Sequence, residues 1–316
     1  MKLLQIGLGE FGMSWFTDIV LKCVEIDRVV LVDLSETKLE EAKRADRDNR
    51  CVFYQSLEEA MVEKPDIVLN ITPPHLHRTI IEQMIEEGIP VLSEKPIALK
   101  YEDAKAILDL SNTLSVPVMI AENYRYTALA REVRRLLINN EIGKIGSVEI
   151  SFYRNHFMKN YHKDLAEPLL MDVAIHHMDL LRYFTKEEVI DVKAVSYNPW
   201  WSWYRGNASV SMNLRMTGGV VVSYCGSLAS KKNEDDWNAT WRIEGDHGIL
   251  RIKNSEIYIE NELGERMIPV EETVDSRSFV LKEFLLSLKE KRKGETDIQD
   301  NIKTYTIVHN AVQVED

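Results

Sequence analysis

The stretch Met1–Gly12 reads MKLLQIGLGEFG, and the fold is decided there. Leu3, Leu4 and Ile6 make a short apolar strand that runs into Gly7, Gly9 and Gly12, a G-x-G-x-x-G turn. An amphipathic helix through Trp15, Ile19 and Val20 follows. Each glycine has its own physical task. The first permits the tight turn, the second lets backbone approach a pyrophosphate, and the third lets helix and strand pack closely. The helix N-terminus then offers N–H groups and a partial positive charge to phosphates. Three glycines alone are a weak signal, and the continuation strengthens it. Arg28–Val32 (RVVLV) is a second buried strand, ended by Asp33. That acid stands about twenty residues past the last glycine, where NAD-binding units place their acceptor for a ribose 2′-OH. Strand, glycine turn, helix, strand and acid in this order predict dinucleotide binding, with NAD as the cofactor.

Outward from this unit the alternation continues. Ser35 caps a helix to Arg44, Cys51–Tyr54 is a strand, and Ser56 with Glu59 has capping-box spacing at the next helix start. Asp66–Ile71 (DIVLNI) is an apolar run of the kind buried in parallel sheets, broken by Thr72-Pro73-Pro74. A helix from His75 to Glu87, a strand Pro90–Ser93, a helix through Leu110 and a strand Pro117–Ala121 complete six strands. The expected architecture is α/β, a Rossmann-type doubly wound parallel sheet with ligands at the C-terminal strand ends. Gly7–Gly12, Asp33, Thr72–Pro74 and Glu94–Pro96 all fall at such ends.

The pattern changes after a helix at 128–139. From Ser147 the chain is strand-rich, from SVEISFYR to EIYIE, interrupted by a helix from Leu169 to Phe184 and closed by helices near 279–293 and 297–313. This predicts a second, α+β domain on an open, mostly antiparallel sheet, with domains at 1–122 and 123–316. The second would carry substrate and oligomer contacts. A sheet with helices on one face leaves the other bare, so a homodimer or homotetramer is expected through it.

Composition sets bounds. At 316 residues the chain exceeds what one core usually organises. A net charge of −12 argues against nucleic acid or an anionic membrane as partner. Cys23, Cys51 and Cys225 lack metal-ligand spacing, and the first two read as core. With no leader pattern and no apolar run of spanning length, a cytoplasmic location is the expectation.

The set Gly7–Gly12, Ile71-Thr72-Pro73-Pro74-His75-Leu76-His77, Ser93-Glu94-Lys95-Pro96 and Asp172–Asp179 (DVAIHHMD) resembles the Gfo/Idh/MocA oxidoreductases, the glucose–fructose oxidoreductase and inositol dehydrogenase family. The resemblance spans nearly the whole chain, and Glu-Lys-Pro is its most specific element. By position it implies Lys95, Asp172 and His176 as catalytic residues and Asp33 as the NAD-selecting acid. It further implies that Glu10, Phe11, Thr72, Pro73, His77, Glu94, Lys95 and Asn123 border the cofactor. Lys95, Tyr124, Arg125, His156, Asp172 and His176 would reach a sugar or polyol substrate. The chain departs from many relatives just before Asp172, where Glu167–Met171 holds no glycine.

The residue types suit that chemistry. Oxidising a secondary alcohol needs a base for the hydroxyl proton while hydride leaves the same carbon, and histidine titrates near neutrality. A lysine can polarise the developing alkoxide. Asp172 and His176 share a face if their segment is α-helical. Plainer readings stand beside these: Asp172 as an acid complementing a helix dipole, His176 as a satisfied core histidine, and Glu94 as a capping acid. His177 and Asp179 read as structural, and no metal site is expected. Trp200, Trp201 and Trp203 suit either a sugar face or a subunit interface. The expected function is an NAD-dependent oxidoreductase acting on a secondary hydroxyl of a sugar, inositol or sugar derivative. Its rivals are a redox-neutral epimerase or glycosidase with retained NAD, and a non-catalytic sugar or nucleotide sensor.

Overall fold

The computed structural model describes residues 1–157, 164–271 and 274–312. The chain divides into two compact units, Met1–Asn123 with Asp275–Ile302, and Tyr124–Val274 with Lys303–Asp316. The expected division at 122/123 differs from this in the segment Asp275–Ile302, which returns to the first unit. Its Thr296 carbonyl accepts the Ile120 N–H, and the Thr296 hydroxyl donates to the Ile120 carbonyl.

In the first unit β1 (Lys2–Ile6), α1 (Glu10–Ser14), β2 (Arg28–Val32), α2 (Glu36–Ala45), β3 (Cys51–Tyr54) and α3 (Leu57–Ala60) alternate. β4 (Ile67–Asn70), α4 (His77–Glu86), β5 (Val91–Ser93), α5 (Tyr101–Leu114) and β6 (Val118–Ile120) continue the pattern. The six strands form one sheet in the order β3-β2-β1-β4-β5-β6, every pairing parallel. Leu3, Leu4, Val29–Val32, Ile67–Leu69 and Leu92 are buried, as strands covered on both faces require. Each such side chain contributes about 1.5–3 kcal/mol when fully removed from water. α1 continues through a π-wound stretch, Trp15–Ile19, and a 3-10 turn, Val20–Lys22, so the expected first helix is present with changing winding. Ser35 and Ser56 cap α2 and α3 as their spacing predicts. Cys23 and Cys51, expected in the core, are only half-buried. Burial pushes the Cys51 thiol up to about 12, with the neighbouring Asp46 carboxylate adding to the effect.

In the second unit α6 (Ala128–Ile138) leads to β7 (Ile145–Tyr153). A helical run follows, π-wound over Leu169–Ala174 and then α7 (Ile175–Thr185). β8 (Val189–Tyr197), β9 (Ser209–Met216), β10 (Val221–Ser227), β11 (Thr240–Gly245), β12 (Gly248–Lys253), β13 (Glu256–Asn261) and β14 (Gly264–Ile268) come next. α8 (Ser276–Glu290) belongs to the first unit, and α9 (Ile298–Val312) closes the described chain. The eight strands run β14-β13-β12-β11-β7-β10-β9-β8, antiparallel except for the β7–β10 pair. β9 shows the expected two-residue period: Val210, Met212, Leu214 and Met216 are buried while Ser211, Asn213 and Arg215 face solvent. Phe184 of α7 meets Trp241 of β11 edge to face, with ring centroids 5.3 Å apart.

Candidate active site

The cofactor side is built from the glycine turn. Gly7 lies at φ +99°, and a Cβ there would stand 2.6 Å from the Ile71 carbonyl oxygen, so no other residue fits. At Gly12 a Cβ would lie 2.3 Å from the Gly7 oxygen, which is the close packing that the third glycine exists to allow. Gly9 differs: nothing lies within 4 Å of the position a Cβ would take. Gly9 is the N-cap of α1 and caps it with no side-chain hydrogen bond. No side chain at Gly9 therefore competes for the first-turn amides of the helical run reaching Lys22, groups that can serve an anionic ligand. At the rim Asp33 is held by two backbone donors, Leu8 N at 2.6 Å and Ser35 N at 2.8 Å. Each carboxylate oxygen keeps a lone pair for a further donor such as a ribose hydroxyl. These features fit a bound dinucleotide.

Thr72 is fixed by Asn70, whose Oδ1 accepts from both the Thr72 hydroxyl, at 2.8 Å, and the Thr72 amide. Asn70 in turn donates to Ser93 Oγ, tying this loop to the strand that precedes Glu94. His77, expected beside the cofactor, turns its ring into the protein. The residue is fully buried, and its two ring nitrogens lie 2.8 Å from the carbonyl oxygens of Pro96 and Thr72. Burial holds its pKa below the ordinary imidazole range, the two carbonyls opposing the shift. His77 therefore braces the Thr72 and Lys95–Pro96 loops from beneath. Glu94 is also buried. Its Oε1 accepts the Trp15 indole N–H at 2.8 Å and its Oε2 the Lys95 amide at 3.2 Å. Lys95, half-buried, precedes a cis peptide to Pro96. The Asn123 side chain donates to Ser276 Oγ at 3.1 Å. Phe11 is half exposed, with the Arg277 guanidinium 5.2 Å from its ring centre.

In the second unit His176 is buried and stacks on Tyr124, centroids 4.2 Å apart and planes within 2°. Asp172 lies in the π-wound stretch and His176 at the start of α7. The simple i,i+4 face expected for an α-helix is thus altered by one wider turn, a feature often found at functional positions. His177 is fully buried. Its Nε2 lies 3.1 Å from the Trp237 carbonyl oxygen and its Nδ1 3.1 Å from the Tyr224 hydroxyl. A neutral ring satisfies both by donating to the carbonyl and accepting from the hydroxyl, and burial pushes its pKa down to about 4. Asp179 accepts both Arg125 Nε, at 2.5 Å, and Arg125 Nη2, at 2.7 Å, deep in the unit. Arg125, expected at the substrate, thus commits a bidentate face of its guanidinium inward, directly after Tyr124. His156 follows β7; its carbonyl accepts the Trp203 indole and the Tyr204 hydroxyl, and its ring meets Trp237 edge to face. No group of three or more His, Cys, Asp or Glu among the described residues is arranged to hold a metal.

Fold and glycine cradle together define an NAD-binding oxidoreductase with a second α+β domain. The profile of the oxidoreductase family with an NAD-binding Rossmann fold matches residues 1–122, and that of the GFO/IDH/MocA C-terminal domain matches residues 130–251. The chain belongs to the Gfo/Idh/MocA family. It is 24% identical over 297 residues to D-apiose dehydrogenase of Paraburkholderia graminis, spanning 89% of this chain and 78% of that protein. An oxidoreductase from Agrobacterium radiobacter, crystallised with NAD+, L-tartaric acid and magnesium, superposes with a TM-score of 0.88 at 19% identity, covering 99% and 96% of the two chains. Aldose–aldose oxidoreductase from Caulobacter crescentus, complexed with glycerol, gives 0.85 at 20%, covering 98% and 97%. No helix among the described residues is long and apolar enough to cross a membrane.

Proposed function

We propose that this protein oxidises a secondary hydroxyl of a sugar, inositol or sugar derivative, with NAD as hydride acceptor. The observation that carries the reading is the uncapped helix start at Gly9, with Asp33 already fixed at its rim by Leu8 and Ser35. NAD, when bound, supplies the electron-deficient carbon that receives the hydride. His176 takes the hydroxyl proton as general base, with Tyr124 stacked on its ring to fix the imidazole plane. Lys95 holds the substrate oxygen and stabilises negative charge as it develops there. Asp172 supports the positive charge on the base. Asp33 favours NAD over NADP, because a carboxylate repels a 2′-phosphate. Arg125 acts by holding Tyr124 through its bond to Asp179. The sugar class is supported by the name of the D-apiose dehydrogenase relative.

The same reading takes the protein as a homo-oligomer through the second unit's sheet. On its outermost strand β8, Val195 and Tyr197 stand exposed on one face, and Trp200 beyond it is 91% exposed, an apolar surface that a second copy would cover. The test of function is turnover of polyols, aldoses and inositols with NAD, followed by absorbance of the reduced nicotinamide and by substrate loss. Net NADH supports a dehydrogenase, and substrate loss without NADH replaces it with redox-neutral chemistry.

A further inference from the structure

Trp15 sits where the helix after the glycine turn widens into π winding, and it is fully buried. A buried indole needs an acceptor for its N–H, and here it has a carboxylate, Glu94 Oε1 at 2.8 Å. The other oxygen of the same carboxylate takes the Lys95 amide at 3.2 Å. Glu94 is therefore strung between the cofactor helix and the backbone of the adjacent lysine. The Arg277 guanidinium lies over the Trp15 ring, 5.6 Å from the ring centre. Arg277 is itself buried, donates to Ser14 Oγ at 3.0 Å and forms a bidentate pair with Asp275. All of these groups lie in the first unit, and the arginine arrives on the segment that returns to it.

We propose that Trp15 is a positioning residue: braced by Arg277, it holds Glu94 and thereby fixes the Lys95 step relative to the helix that starts at Gly9. Glu94 is an anchor for this step: its two oxygens take donors on two different elements, which fixes the carboxylate's orientation from within the protein. The inference rests on the reading of Lys95 as a working residue. It predicts a particular split: loss of the indole N–H should lower kcat and leave NAD binding alone, because the lost bond lies within the protein, from a fully buried indole to a buried carboxylate.

The experiment uses the full chain as Trp15→Phe, Glu94→Gln and the double variant, with Lys95→Ala beside them. NAD affinity is measured by calorimetry, and hydrogen exchange is followed in peptides covering residues 91–98. Turnover is measured on whichever substrate the wild type oxidises. Expected are NAD dissociation constants within about threefold of wild type and exchange at 91–98 at least about tenfold faster in both single variants, the local opening that a lost hydrogen bond permits. kcat should fall at least about tenfold, and the double variant should be no worse than the poorer single one, as for residues acting through one link. Phenylalanine fills the indole site poorly. If Trp15→Phe does not fold, Glu94→Gln alone decides, since its amide oxygen still accepts the indole N–H while its NH2 cannot accept the Lys95 amide. An NAD affinity lost with Glu94→Gln overturns the proposal by making Glu94 a cofactor ligand. Unchanged exchange and kcat in the folded variants overturn it as well. Turnover that survives Lys95→Ala refutes the role of Lys95 instead, and the exchange data still report whether Trp15 holds the step.

Discussion

Asp179→Ala isolates the buried ion pair with Arg125, the residue that follows Tyr124 in the chain. In the native unit the Asp179 carboxylate is fully buried, accepts two guanidinium N–H groups of Arg125 at 2.5 and 2.7 Å, and takes the Thr304 hydroxyl at 3.0 Å. Thr304 in turn accepts Arg182 Nη1 at 2.9 Å, and Arg182 pairs with Glu188. Removing the carboxylate leaves the Arg125 charge buried without the partner that offsets its desolvation. Breaking one side of such a pair costs about 3–5 kcal/mol, whereas replacing both sides with apolar groups of similar volume is often neutral. For a chain of this size each kcal/mol is worth about 2–4 °C in melting temperature, so the single variant should melt about 6–20 °C lower. Urea denaturation of Asp179→Ala, Arg125→Met and Arg125→Met/Asp179→Leu measures this as a double-mutant cycle. Expected is a double variant far closer to wild type than the sum of the single losses. A loss below about 1 kcal/mol for Asp179→Ala would refute the claim that this pair is a desolvated, mutually dependent unit.

Further outcomes follow from other contacts. His177 is held neutral, its pKa pushed down to about 4 by burial, while an unfolded histidine titrates near about 6.5. Its contribution is thus full above pH about 6.5 and is lost as pH falls toward 4, by about 3 kcal/mol at most. His177→Gln should remove that part of the acid dependence measured by denaturation at pH 7 and pH 4.5, while buried His77 leaves one in the same direction. Gly9→Ala meets no protein atom within 4 Å and should leave the melting temperature within about 2 °C, yet weaken NAD at least about tenfold by calorimetry, because the added methyl occupies the approach to the helix N-terminus. Gly12→Ala is the converse, forcing a methyl to within 2.3 Å of the Gly7 oxygen, and should cost stability first. Asp33→Ala should relax discrimination against NADP in a competition binding assay, and unchanged selectivity would show that another group reads the ribose.

The parallel sheet was legible because its strands are continuous apolar runs, RVVLV and DIVLNI, that periodicity and length set apart from helices. The antiparallel strands were legible from alternation, as in β9. β14 was not, since GERMI offers one buried-type residue pattern too short to register and exposes Glu265 and Met267. The site was legible in part. Glycines announce themselves because backbone geometry admits little else at Gly7 and Gly12. The direction in which a side chain turns is not written in a motif: His77 stands at the matching position, yet its ring points beneath the loops to Pro96 and Thr72. Arg125 likewise follows the strand end as expected but turns to Asp179. Contacts across long sequence separation, Arg277 on Trp15 or Thr304 on Asp179, leave no local signal, since each partner satisfies its own helix pattern without reference to the other. The π winding before His176 was also hidden, because its residues suit an ordinary α-helix.

The most direct test of the central claim is to compare wild type with Lys95→Ala for NAD affinity and for NADH formation on polyols, aldoses and inositols. Expected is NAD affinity equal within a few-fold in both, NADH formation by the wild type on at least one substrate, and a loss of turnover of about 10²–10³-fold or more in the variant, the scale on which a preorganised charge stabiliser acts. A wild type that binds no NAD, or a variant that keeps ordinary turnover, would contradict it.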